Sequence, residues 1–278
     1  MTIAISMKVN DGIVLAADSA SAIIEKNPSG ALSVVNIYNN ANKIFNLIKG
    51  KPVGLIAWGS GSIGNSSIST LTKDFRELIK EKKIGSIENN SYTIKKMALE
   101  FKKFIYDENY LKEFKSWDEK PDMGFMIVGY STNSHFSEEW KLDIQNGECE
   151  DPYIVREKNQ IGITWNGEPE AICRLYLGHS TALSDILEMT GLNNSKITEI
   201  LDICQERLVA PMVTPAMPIQ DAIELAEFLV DTTTQFSRFI PGASTVGGPT
   251  EIAAITKHEG FKWIKRKHYY DVSLNMGV

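Results

Sequence analysis

TIAISMKVNDGIVLAADSA, residues 2–20, holds two runs of β-forming side chains, 3–9 and 13–18, separated by Asn10-Asp11-Gly12. Asn, Asp and Gly supply the backbone chemistry of a tight turn, so the stretch reads as a β-hairpin. Its second strand closes on Asp18, and an acid ending an apolar strand is costly unless something pairs with it. A three-residue loop over 10–12 would pair residues 4 and 18 and put Thr2 on one face with Asp18. A two-residue loop would break that relation.

Outward from the hairpin, a polar, turn-rich stretch over 25–30 leads to an apolar run at 32–38. Further strands are predicted at 43–48 and 53–58, on either side of the turn Lys49-Gly50-Lys51-Pro52. Ile68, Leu71, Phe75, Leu78 and Ile79 then recur at helical spacing, and a second helix is predicted over 93–115. Strand patterns return at 124–130, 140–144 and 161–165. Helices are predicted at 168–179, 181–190, 195–208 and 219–234, the last opened by Pro218 and Asp221. The chain closes on strands at 250–256 and 262–266. With no internal repeat or linker, 1–278 reads as one domain.

The formal net charge of −6 and the acidic pI near 5.4 argue against nucleic-acid and anionic-membrane partners, which reward a basic surface. The one basic cluster, Lys262, Lys265, Arg266, Lys267 and His268, reads as a solvated strand or tail. Cys149, Cys173 and Cys204 form no CxxC pair, so the expectation is free thiols and no metal site. Neither a signal peptide nor a spanning segment is apparent, which predicts a cytoplasmic protein. No cofactor is implied: the glycine-rich GSGSIG run, 59–64, lacks the Lys-Ser/Thr ending of a P-loop.

Four segments in order resemble the proteasome beta-subunit type of N-terminal nucleophile hydrolase: the opening hairpin with its Ala-Asp-Ser ending, NKIFNLIKGKPVGLIAWGSG (42–61), MPIQDAIELAEFLVDTT (217–233) and VGGPTEIAAIT (246–256). The resemblance implies an α+β fold, a four-layer αββα sandwich of two stacked antiparallel sheets. It also implies a threonine-type peptidase or amidohydrolase acting on peptides or proteins, and a homo-oligomer arranged as a ring or stack.

In that reading removal of Met1, which the small Thr2 side chain permits, exposes Thr2 as nucleophile. Its own α-amine, with an ordinary pKa of about 7.7–8.0, serves as general base. Asp18 would hold Lys43 charged and oriented, and Lys43 would lower the pKa of the Thr2 hydroxyl. Lys49 and Lys51 compete with Lys43 but flank a turn. Gly59 would offer its backbone N–H to the oxyanion.

The family's amine-supporting residues fall, with the two glycines as anchor, on Ala243 and Val246. Asn166, Ser244 or Thr245 are the substitutes that spacing offers. These departures keep two other readings open: a catalytically silent assembly subunit, and an N-terminal nucleophile amidase acting on a small molecule.

Overall fold

The computed structural model describes residues 2–26, 32–81, 91–271 and 274. Met1 and most of the turn-rich stretch over 25–30 lie outside them. Two strands, β1 (Ile3–Val9) and β2 (Gly12–Ala17), are followed by β3 (Ser21–Lys26), β4 (Leu32–Tyr38), β5 (Ile44–Asn46) and β6 (Val53–Gly59). The short β7 (Ser62–Ile63) and β8 (Ser66–Ser67) precede helix α1 (Ile68–Lys80) and helix α2 (Ile94–Lys102). The latter continues as a π-helix over Lys103–Tyr110 into the short α3 (Leu111–Glu113).

Next come β9 (Met123–Tyr130), β10 (Ser137–Gln145), β11 (Glu148–Cys149), β12 (Tyr153–Ile154) and β13 (Gly162–Gly167). Then α4 (Glu170–Ile172) runs into a π-helical stretch, Cys173–Leu177, followed by α5 (Leu183–Met189), α6 (Asn194–Leu208) and α7 (Ile219–Phe239). Strands β14 (Glu251–Thr256) and β15 (Gly260–Lys265) complete the order. The fold is therefore mixed α and β, with several antiparallel sheets.

The larger sheets run β13-β1-β2-β14-β15 and β11-β10-β9-β6-β5, with β12 beside β10. Alternation of side chains along β1 explains why all seven of its residues are buried. Ile3, Ile5, Met7 and Val9 join Ala222, Ala226, Leu229 and Val230 of α7 in one apolar cluster. Ala4, with Ile13 and Leu15 of β2, instead meets Ile56, Met126 and Val128 of the second sheet. The opposite face of that second sheet, through Leu55 and Phe125, packs on Leu71 and Phe75 of α1 and Met97 and Phe101 of α2.

Local signals account for most boundaries. Ser67 caps α1 by accepting from the Thr70 amide, and Thr93 caps α2 through Lys96. The helix predicted over 93–115 is present but widens to π geometry at Lys103. That wider turn keeps Tyr110, five residues beyond Ile105, in the same core. The last long helix, expected over 219–234, extends to Phe239 and so includes Arg238.

The hairpin register corrects the three-residue loop. Val9 pairs with Gly12 and Ala4 with Ala17, leaving a two-residue Asn10-Asp11 turn. Gly12 belongs to the strand because β14 comes close there: a Cβ at Gly12 would sit 2.6 Å from the Ile255 carbonyl oxygen. Glycine is used for room between strands rather than for the turn.

Phe75 is fully buried and meets Phe101 edge to face at 5.1 Å. Phe75→Ala is expected to cost about 3–5 kcal/mol, read as a lowered denaturant midpoint at unchanged slope.

Candidate active site

With a two-residue turn, Asp18 stands opposite Ile3 rather than residue 4, and its amide donates to the Ile3 carbonyl at 3.3 Å. Strict alternation would keep it from Thr2. Strand β2, however, ends at Ala17, so the Asp18 side chain is released from the pleat. Its Oδ1 accepts from the Thr2 hydroxyl at 2.9 Å and from the Ile3 amide at 2.9 Å. The expected proximity of Thr2 and Asp18 is present, but it arises from the strand's end and not from the expected register.

The same oxygen receives the Lys43 ammonium at 2.5 Å. Oδ2 accepts from the backbone amides of Ala20 and Gly247, each at 3.0 Å. Thr2, Asp18 and Lys43 are 5%, 1% and 7% exposed, so this is a dry cluster in which electrostatic contacts are poorly screened. Burial pushes the Lys43 ammonium below its ordinary pKa, and the Asp18 carboxylate opposes that shift. The Asp18 carboxylate alone would oppose an alkoxide on Thr2, and the Lys43 ammonium on the same oxygen offsets that negative charge.

Lys43 reaches this position because it directly precedes β5, where its carbonyl accepts from the Ala57 amide at 2.9 Å. The competing Lys49 is exposed and Lys51 is half-buried. Gly59 lies two residues beyond Ala57 on β6, with φ +83°. A Cβ there would come within 2.5 Å of the Asp122 carbonyl oxygen, so the close strand partner already requires glycine. The neighbouring Ser60 amide is bonded to that same carbonyl at 3.0 Å.

On the other side of Thr2, β13 lies beside β1 with Asn166 opposite Ala4 and Gly167 opposite Ile3. Gly167 has φ +97°, and a Cβ on it would stand 1.9 Å from the Thr2 carbonyl oxygen. That oxygen accepts from the Glu168 amide at 2.6 Å. The glycine therefore permits the backbone approach that fixes the Thr2 carbonyl. Asn166 is 8% and Thr245 4% exposed, and Asn166 Nδ2 and Thr245 Oγ1 have no hydrogen-bond partner among the described residues. Ser244 differs, because its hydroxyl is used inside its own turn on the Val246 carbonyl at 3.1 Å. Val246 itself is buried in the apolar cluster under α7.

Several residues of this site escaped the sequence reading. Ser19 donates its amide to the Gly247 carbonyl at 2.8 Å and its hydroxyl to the Pro249 carbonyl at 2.6 Å. Lys267, read as part of a solvated basic tail, instead places Nζ 2.8 Å from Ser19 Oγ, 2.8 Å from the Ala41 carbonyl and 2.7 Å from Glu251 Oε2. Burial lowers its pKa against the pull of Glu251. The signal that could have found this pair is Glu251, an acid opening the apolar strand EIAAIT.

Among the described residues no group of three or more His, Cys, Asp or Glu side chains is arranged to hold a metal, and no helix is long and apolar enough to cross a membrane. Compared with known proteins, the chain matches no family model and no curated protein. Among solved structures it is similar to the Anbu (Gly-1) mutant from Hyphomicrobium sp. strain MC1, at 14% identity over 96% of this chain and 86% of that one, with a TM-score of 0.47. A likeness of that degree leaves the activity to be argued from the chain's own geometry.

Asp18→Ala would strand a buried ammonium and several amide donors. The expected cost is about 3–5 kcal/mol, and adding Lys43→Met should recover part of it in denaturant unfolding, because the unpaired charge is then gone.

Proposed function

We propose that this chain is a threonine-type peptidase or amidohydrolase of the proteasome-like kind, in which Thr2 becomes the first residue and attacks a substrate carbonyl. The observation that carries this reading is the single oxygen, Asp18 Oδ1, that holds both the Thr2 hydroxyl and the Lys43 ammonium. The arrangement of clusters supports the finer fold reading, with 1–278 as one domain in four αββα layers. One apolar cluster holds residues of both sheets, and the outer faces meet α7 on one side and α1 and α2 on the other.

In the mechanism the Thr2 hydroxyl turns its proton from Asp18 Oδ1 to the freed α-amine, which takes it as Oγ1 bonds to the carbonyl carbon. The carbonyl π pair moves onto oxygen, where the Gly59 N–H would receive the developing charge. Collapse expels the amine leaving group, which takes the proton held by the α-amine, and leaves an ester on Thr2. Water, deprotonated by the same α-amine, then releases the acid and restores the hydroxyl. Lys43 stabilises the alkoxide, and Asp18 orients Lys43. Thr245 Oγ1 is proposed to accept from the α-amine and orient it, with Asn166 beside it and Ser244 supporting the turn that carries Thr245; among the described residues Asn166 Nδ2 and Thr245 Oγ1 are buried without partners.

Peptides or proteins are the proposed substrates, in the cytoplasm, and copies of the chain the proposed assembly partners. A second reading, a silent assembly subunit, is favoured by Val246: buried among apolar side chains, it offers the amine no polar atom.

An electrophile directed at N-terminal threonine separates the two. Modification of Thr2 is expected in the wild-type chain and not in Thr2→Ala, whereas a silent subunit stays unlabelled and keeps an amide before Thr2 by intact mass. Lys43→Ala should lower turnover on the order of 10²-fold or more while far-UV circular dichroism is unchanged.

The pH profile follows from the signs. Activity rises with pH as the α-amine loses its proton, near about 7.7–8.0 in model peptides. It falls again as Lys43 loses its own, at a pKa that burial holds below the ordinary 10.5. Lys43→Arg, always charged, should keep the acid limb and abolish the alkaline one; an alkaline limb that persists would remove Lys43 from the mechanism.

A further inference from the structure

A cavity of about 860 Å³ lies beside the candidate active site but is lined by none of Thr2, Asp18 or Lys43. One wall is β5, an edge strand with β6 on one side and no strand on the other among the described residues. Another is the face of α1 that carries Ser69, Thr72, Lys73 and Arg76, at the i, i+3, i+4, i+7 spacing of one helix face. The segment around Trp263 and Arg266 forms part of the remainder.

The charges here are one-sided. Lys49, Lys73, Arg76 and Arg266 line the cavity, and Glu251, its one carboxylate among the described residues, is engaged by Lys267 at 2.7 Å. Arg266 lies over the Trp263 ring at 5.0 Å. Two lining side chains also hold shielded polar atoms with no hydrogen-bond partner among the described residues: Arg76 Nε, a donor, and Asn46 Oδ1, an acceptor. Polar atoms shut away from water without partners are costly, and the two side chains that carry them stand on the cavity wall.

We infer that this cavity is a docking site for an extended acidic peptide segment. The segment would add as a strand to the open edge of β5, where unpaired backbone groups are available. A carboxylate would then sit among Lys73, Arg76 and Arg266, where guanidinium groups bind it in charge-assisted pairs. The open edge decides the class: its backbone amides and carbonyls are completed by a peptide backbone, whereas a phosphodiester supplies acceptors only. The inference is independent of hydrolysis at Thr2.

The test is fluorescence anisotropy on the full chain with a labelled six-residue peptide bearing three Glu, against its Gln counterpart. The Glu peptide is expected to bind at least about tenfold more tightly, with affinity falling as salt rises. Lys73→Glu, an exposed change that leaves the core intact, should erase the preference, and Arg76→Gln should weaken it. Thr2→Ala should leave binding unchanged, whether or not Thr2 proves to be a nucleophile. Equal binding of the two peptides, an unaltered preference in Lys73→Glu, loss of binding in Thr2→Ala, or tighter binding of tripolyphosphate than of the Glu peptide would each overturn the assignment.

Discussion

The carboxylate of Asp18 is the constraint around which the first strands, the Lys43 segment and the glycine turn at 247–248 are arranged. Its two oxygens take donors from Thr2, Ile3, Ala20, Lys43 and Gly247, which come from four separate stretches of chain. A carboxylate so deeply buried is not a generous source of stability, because the cost of removing both ions from water offsets most of their attraction. Its value is definition. A buried charge accepts few arrangements, and this one brings the Thr2 hydroxyl and the Lys43 ammonium to the same oxygen.

A second ion pair repeats the logic one layer out. Lys267 and Glu251 are held beside Ser19 and the Ala41 carbonyl, so the residues on either side of Asp18 and Lys43 are themselves tied down. The buried Lys43 and the half-buried Lys267 repel, and each is held charged by its own acid against the pull of burial. The arrangement therefore couples the ionisation of the inner pair to the integrity of the outer one.

Much of this was legible in the residues because the chemistry was local. An apolar strand ending in Asp18, a lysine opening a strand after a polar run, and a glycine at 59 each break the surrounding pattern in a way only a partner or a close approach explains. What was not legible depended on partners distant in sequence. The turn register turned on whether Gly12 served the loop or the neighbouring β14, and nothing within residues 2–20 reveals β14. Lys267 sat in a run of like charges and was read by its neighbours in sequence rather than by Glu251 across the sheet. The π-helical widening at 103–110 conserves an apolar face, so helical spacing foresaw the face but not the change of pitch. At the candidate site, Thr2 and Lys43 each bond Asp18, as the sequence pattern led one to expect.

The clamp between Asp18 and Gly247 joins residues more than 220 positions apart, and β14 must insert beside β2 to hold it. Such long-range closure is slow and comes late in folding. On a ribosome, which releases the chain from its N-terminus, the opening hairpin emerges long before the segment that completes its surroundings. A growing chain thus carries Thr2 without the architecture that orients it, and any reactivity there is deferred until the last strands are in place. Timing of this kind is supplied by the order of synthesis and acts in addition to the removal of Met1.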